Sequence, residues 1–295
     1  MFFRLTFLLL VASTFTLSAS AQSPDRRTTI AVLSFGDSDL GRTASETLAA
    51  SLRSENLQVL DSDQARAAAR GAGYVPSLNM AVPEARTFGA VIGADFYILG
   101  DAQTLRRSPS SGNTYFESYA SIFLVSSRTG RLVSWQRPNF QSSTTTESEK
   151  LLLSTLAQNP LKEVLLLALR RAEKEERTAR AEALVREIPV IEAAPEDEET
   201  AAAEGMRLPR PFRRLQPPYP ESAAAAEVEA VVDVLVDLDA KGEVNHAEIA
   251  RWAGFGLDEV TLATVQKLNF FPAMRNGVAI PLRVLLRYNF RKAPK

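Results

Sequence analysis

AVVDVLVDLDAKG (residues 230–242) and AIPLRVLLRYNF (residues 279–290) decide how the last third of the chain folds. In the first stretch Val232, Val234, Val236 and Leu238 share one face while Asp233, Asp237 and Asp239 take the other, the period of a half-buried strand. Asp239-Ala240-Lys241-Gly242 then reads as a tight turn into a second strand through Val244 and Ile249. The closing stretch repeats the alternation from Val278 to Phe290. Ile280, Leu282, Val284, Leu286 and Tyr288 point inward, and Arg283, Arg287 and Asn289 point outward. Between these strands the corner Gly254-Phe255-Gly256 leads to a helix over 257–268 with Leu257, Val260, Thr264 and Leu268 on one face. The expected unit is a three-stranded antiparallel sheet with one helix across one face.

Such a sheet has two open edges, and Pro281 lacks the N–H that a central strand needs, which points to an edge or a strand end there. An edge presents unpaired N–H and C=O groups that natural proteins either block or use. Arg283 and Arg287 either guard it against aggregation or prepare it, with Leu285 and Asn289, to receive an extended peptide.

Working back toward the start, the region 188–208 is acidic, and the reading is a disordered linker. The sign flips in RLPRPFRR, which carries Arg207, Arg210, Arg213 and Arg214; this block is a solvated hinge or a contact for anionic lipid or an acidic partner. Residues 143–187 read as helical. Thr146 with Glu149 forms a capping box, and Asn159-Pro160 a second helix start. Leu161, Val164, Leu165 and Ala168 make a stripe that packs on the first domain, while the charged part from Arg170 to Glu187 runs out as a strut. Residues 22–142 alternate strand and helix before a hairpin over 115–137, which predicts an α/β sandwich. The whole chain is thus of the α+β class, with the small domain over 209–295.

Residues 1–21 carry Arg4, an apolar core from Leu5 to Val11 and a closing Ala19-Ser20-Ala21. This is the pattern of a signal peptide cleaved before Gln22, which places the mature protein in the periplasm; the alternative is an uncleaved segment anchored in the inner membrane.

The composition narrows the chemistry. The 295 residues carry Lys+Arg 34 against Asp+Glu 35, so nothing in the overall charge favours nucleic acid. With no cysteine and one histidine, His246, thiol nucleophiles, thiolate metal sites and Ser/His/Asp catalysis have almost nothing to draw on. The spacing Asp237-x-Asp239-x-Lys241-Gly242 fits a hairpin turn better than a calcium loop, because Lys241 falls where a ligand is wanted. Gly36, Gly41, Gly254 and Gly256 lack the Lys-Ser/Thr ending of a phosphate loop. Asp37, Asp39 and Asp95 sit at strand ends and helix starts, where Asp caps. The reading is a non-enzyme with no cofactor, no metal and no evident small-molecule substrate.

Tyr219-Pro220 with Ala223, the Val-rich strand, Asp239 and Gly242, Gly254, Leu257-Asp258, Phe271-Pro272-Ala273 and Asn276-Gly277 together resemble the TonB carboxy-terminal domain over about Pro209 to Arg291. The resemblance implies a fold whose last strand pairs with a short peptide of an outer-membrane receptor, coupling inner-membrane energy to uptake. It carries over Gln216, Pro217, Tyr219 and Pro220 as contact candidates, together with the edge Arg283, Leu285, Arg287 and Asn289. For Tyr219-Pro220, fixing the lead-in to the first strand is the equal alternative. The chain departs from the family where a signal peptide and a folded domain replace the anchor and the Pro-rich spacer, which removes pulling by a proton-driven motor in cis. The first domain, from Thr28 to Arg137, is similar in its order of motifs to CsgG-like and TolB amino-terminal periplasmic domains. Two functions follow as expectations: an envelope protein that binds an outer-membrane receptor or another envelope protein by strand addition, or a periplasmic scaffold that self-assembles into a homo-oligomer.

Overall fold

The computed structural model describes residues 27–53, 55, 57–71, 73, 77–185 and 191–292, so the expected signal peptide lies outside the described residues. The run Thr-Ile-Ala-Val becomes β1 (Thr29–Val32), buried along its whole length, and a strand apolar on both sides needs cover on both faces. α1 (Asp39–Arg53) turns Ala44, Leu48 and Leu52 inward, and β2 (Gln58–Val59) returns beside β1. α2 (Ser62–Gly71) is capped by Asp61, whose Oδ1 accepts from the backbone N–H groups of Asp63 and Gln64 at 3.0 and 3.1 Å. α3 (Val82–Ile92) opens with Pro83 in its first turn and closes on Gly93.

The long hairpin of β3 (Phe96–Arg107) and β4 (Tyr115–Ser126) follows, then the shorter β5 (Leu132–Gln136) and β6 (Asn139–Ser142). The sheet runs β2-β1-β3-β4-β5 with β6 also against β4; β1 is parallel to both neighbours and the other pairings are antiparallel. α4 (Thr145–Ala157) is capped by Thr144, whose side chain accepts from the N–H of Glu147 at 3.3 Å. The Thr-x-x-Glu pattern is the one expected, but it acts two residues before Thr146, because the chain is released from β6 at Ser142.

One face of the sheet, with Ile30, Val32, Ile98 and Ile122, packs under α1, α4 and α5 (Asn159–Val185), burying Leu48, Leu156 and Leu165. The first charged turns of α5 are tied down rather than free. Glu173 accepts from Thr28, and Glu176 accepts from Ser126 Oγ at 2.5 Å; residues 177–184 stand in solvent.

Residues 191–208 carry structure, a correction to their reading as a disordered linker. Asp197 caps α6 (Glu198–Ala203) by accepting from the N–H of Thr200 at 2.7 Å, Ala201 is buried, and β7 (Met206–Arg207) pairs with a later strand. The acidic side chains take the exposed positions, while Ala201 and Met206 supply the burial that composition alone concealed.

β8 (Arg210–Pro211) and α7 (Glu221–Ala225) lead into the small module. Its elements are β9 (Ala230–Leu238), β10 (Val244–Arg251), α8 (Leu257–Val265), β11 (Phe270–Phe271), β12 (Ala273–Arg275), β13 (Val278–Ile280) and β14 (Leu282–Phe290). The three-stranded antiparallel sheet has the order β10-β9-β14. The closing stretch is two strands rather than one. β13 pairs with β12, β14 pairs with β9, and Pro281, which has no N–H to donate, stands at the break. Gly242 confirms the hairpin reading: at φ +84° its missing Cβ would lie 2.0 Å from Phe270 O, and Asp239 Oδ1 accepts from the N–H groups of Lys241 and Glu243 at 2.8 and 2.9 Å.

The second face of the large sheet is shared. Ala31, Leu33, Tyr97, Leu99, Phe123 and Val125 join one core with Val232, Val234 and Trp252 of the small module. Trp252, 1% exposed, stacks on Phe123 with ring centroids 5.9 Å apart and donates from Nε1 to Gly130 O at 3.1 Å. Phe255 closes the cluster against Phe123 and Trp135 at 5.6 and 5.4 Å. Gly254, at φ +73°, lets this corner approach, since a Cβ there would meet the Phe123 ring at 2.7 Å.

Candidate partner-docking edge

β14 lies at the margin of its sheet and pairs with β9 over nine positions, from Leu282 opposite Leu238 to Phe290 opposite Ala230. Strand alternation turns the side chains of Leu282, Val284, Leu286, Tyr288 and Phe290 toward α8 and those of Arg283, Leu285, Arg287 and Asn289 to the opposite face. Main-chain groups alternate as well. The N–H and C=O of Arg283 point away from β9, and Leu285, Arg287 and Asn289 are in the same phase.

The arginines are engaged inside the chain. Arg283 donates from Nε and Nη2 to the two carboxylate oxygens of Asp237 at 2.5 and 2.8 Å, and Arg287 grips Asp233 in the same two-point way at 2.7 and 3.0 Å. Asp233 also receives Arg251 Nε from β10 at 3.3 Å, so charge crosses all three strands. Hydrogen bonds from Arg287 and Arg283, opposed by burial, hold the Asp233 and Asp237 carboxyls below the usual carboxylate range. The outer face is therefore nearly neutral, and both guanidinium forks are taken. What β14 offers a partner is main chain, the Leu285 side chain, 53% exposed, and the exposed Asn289.

Part of the edge is already covered. Arg283 N–H donates to Glu192 O at 2.8 Å and Arg283 O accepts from Ala194 N–H at 2.7 Å, a parallel bridge centred on Ala193. Glu192 is held in turn by Arg275, whose Nη1 and Nη2 donate to its two carboxylate oxygens at 3.0 and 2.6 Å. The expectation of an edge free from Arg283 onward is corrected at that first position; among the described residues, no main-chain bond crosses the edge at Leu285, Arg287 or Asn289. Glu192 and Arg275 are 83 residues apart in sequence, and no local pattern announces the pair.

The stretch Gln216–Pro220 flanks the far end of the same strand. Tyr219 lies 6.3 Å from Phe290, centroid to centroid, and donates its hydroxyl to Val228 O at 2.5 Å, fixing the lead-in to β9. Pro220 caps α7, Pro217 is half-buried, and Gln216 is exposed. The stretch Gln216–Pro220 thus lies by the Phe290 end of β14, away from Arg283 at the other end, with Tyr219 anchored from within. The arginine block ends elsewhere. Arg210 meets Glu198 at 3.3 Å, and next to it Phe212 and Phe271 stand exposed against each other at 4.4 Å.

Other chemistry is absorbed internally. Asp95 accepts from Thr29 N–H and Oγ1, Asp39 pairs with Arg42, and exposed His246 stands opposite Asp237. Among the described residues no group of three His, Cys, Asp or Glu converges on a metal position. A cleft of about 1060 Å³ lies between α5 and the β10–α8 side of the small module, and several of the charges lining it pair with each other: Arg131 with Glu248 at 3.1 Å, Arg128 with Glu176 at 3.5 Å, and Arg171 with Glu175 at 2.7 Å. No helix among the described residues is long and apolar enough to cross a membrane.

Residues 215–291 match the family described as "Gram-negative bacterial TonB protein C-terminal", and the small module is a domain of that type. No curated protein matches the chain. Among solved structures it is similar to the TonB carboxy-terminal domain of Pseudomonas aeruginosa, with 20% identity over 30% of this chain and 89% of that one and a TM-score of 0.26. It is also similar to the lipoprotein GNA1162 of Neisseria meningitidis, with 14% identity over 44% of this chain and 94% of that one and a TM-score of 0.32. The LpoB carboxy-terminal domain of Salmonella enterica follows, with 17% identity over 39% and 83% and a TM-score of 0.28. The family match, rather than these distant likenesses, carries the assignment.

Proposed function

We propose that this chain is a periplasmic protein of the cell envelope that captures an extended segment of an outer-membrane receptor, or of another envelope protein, by strand addition to β14. The observation that carries the reading is the margin from Leu285 to Asn289, whose main-chain groups face outward while the neighbouring arginines are occupied by Asp233 and Asp237. Affinity then comes from main-chain hydrogen bonds, and selection from what the segment places against Leu285 and Asn289. In this reading the docked segment is the point through which the protein supports energy-coupled uptake.

The test uses synthetic peptides copied from the amino-terminal segments of the outer-membrane receptors of the same cell. The expected result is slowed amide exchange at Leu285, Arg287 and Asn289, lost in Leu285→Pro. That variant removes an N–H which β9 does not use, so the fold is retained. Unchanged exchange with every peptide would overturn the reading. A second reading, self-assembly into a scaffold, is favoured by the fact that an open strand is complementary to a second copy of itself across a two-fold axis. Light scattering separates the two: a dilution-resistant oligomer indifferent to the peptides belongs to the scaffold.

A further inference from the structure

We infer that residues 192–194 are a built-in competitor for the docking edge, a latch that occupies its first position and must leave before a foreign strand can pair along the full length of β14. The inference rests on the strand-addition reading and adds its regulation.

The geometry is that of a strand-addition complex reduced to one residue pair. Four residues of β14 turn their main chain outward: Arg283, Leu285, Arg287 and Asn289. The segment takes both hydrogen bonds of the first, donating from Ala194 and accepting at Glu192, and it runs parallel to β14. A foreign strand in the same direction that reached Arg283 would need the same two bonds, so the two occupants exclude each other there. A parallel ladder would continue with Leu285 N–H donating to Ala194 O and Glu196 N–H donating to Leu285 O, and neither bond is made, so the segment stops after one position.

What holds the segment is light. Beside the two main-chain bonds stands the Glu192–Arg275 pair, whose side chains are 48% and 36% exposed, and an exposed pair of this kind is weak and screened by salt. Ala194 adds partial packing on the core. The segment belongs to neither α5 nor α6. Arg275 sits on β12 and is kept there when the latch opens, leaving a cation beside the vacated position. The occupant best suited to replace the latch is thus an extended segment with a carboxylate near its start.

Amide hydrogen exchange on the full-length chain tests this, with the acetylated peptide VIEAAPE (residues 190–196) as the probe strand. In the unaltered chain the Arg283 amide is expected to exchange about tenfold more slowly than those of Leu285, Arg287 and Asn289, the protection of a closed but easily opened contact. Glu192→Lys sets like charge against Arg275 on an exposed surface and should bring Arg283 to the rate of its neighbours. Ala194→Pro, which removes the donor N–H without any change of charge, should do the same. Added in excess, the probe should restore slow exchange at Arg283 in both variants while leaving the unaltered chain as it was. Equal exchange at Arg283 and Leu285 in the unaltered chain overturns the latch. So does a probe that protects all three forms alike, or none of them. Receptor peptides that fail on a chain whose latch behaves as described would sink the proposed partner and leave the latch standing.

Discussion

The two margins of the three-stranded sheet meet the rest of the chain in unequal ways. On the β10 side, Trp252 N–H donates to Met80 O at 3.2 Å, and Arg251 bridges to Ala81 and donates to Asn79 O at 2.9 Å. The Asn79 amide spans two strands, donating to Val231 O and Trp252 O at 2.8 and 2.7 Å and accepting from Val231 N–H at 3.0 Å. All this sits beside a buried aromatic cluster. On the β14 side the contact is one residue pair with one exposed ion pair. A margin pinned by side chains that are themselves in a core becomes part of the fold. One touched only by main chain at the surface stays exchangeable, and that is the condition for docking.

The contrast breaks most sharply at Trp252. Trp252→Ala should cost about 3–5 kcal/mol through the cavity left between the modules, and it should divide a single urea transition into two as the modules part; one unchanged transition would deny the shared core. Asp258 sharpens the same point through pH. Burial pushes its carboxyl from the ordinary 3.8 up to about 7, against two backbone N–H donors, Ala253 and Gly254, at 2.9 Å each. The folded chain keeps a proton that the unfolded chain has shed, so this group's contribution to stability falls as pH rises from about 4 to about 7, by a total of about 4 kcal/mol. Asp258→Asn should remove that slope from denaturation midpoints measured across the window. Asp233 and Asp237 act with the opposite sign. Their depressed values supply stability above the ordinary 3.8 that is lost as pH falls through their folded values, so the slope below about pH 4 should survive in the Asp258→Asn variant.

Asn79→Ala leaves three main-chain groups without their partner and should cost about 2–3 kcal/mol, again lowering the urea midpoint while sparing any peptide effect at β14. The smallest change is Tyr219→Phe. Loss of its bond to Val228 O should cost about 1 kcal/mol and leave peptide protection at Leu285 unaltered. A loss of peptide protection without a loss of stability would make Tyr219 a partner contact instead of an internal tie.

The alternation of Val232, Val234, Val236 and Leu238 fixed which face of β9 is buried and could be read locally; Pro281 pointed to an edge or a strand end, and it stands at the break between β13 and β14 rather than within the marginal strand. The acidic run over 188–208 misled because composition averages over positions. One capping aspartate, Asp197, and two inward residues, Ala201 and Met206, were enough to order residues 191–208. The arginines of β14 were legible as outward-facing, but their partners, 46 and 54 residues away, were not.

By itself the amino-acid sequence determined the periodicities, the caps, the turns, the poverty in reactive side chains and the family of the closing module, since each of these depends on residue types at short separations. Only the tertiary structure decided that the two modules share a core through Trp252, that Asp233 and Asp237 occupy the arginines, and that residues 192–194 lie on the edge of β14. Those contacts join residues dozens to well over a hundred positions apart. Their stability comes from mutual burial and main-chain pairing, quantities that no local stretch carries.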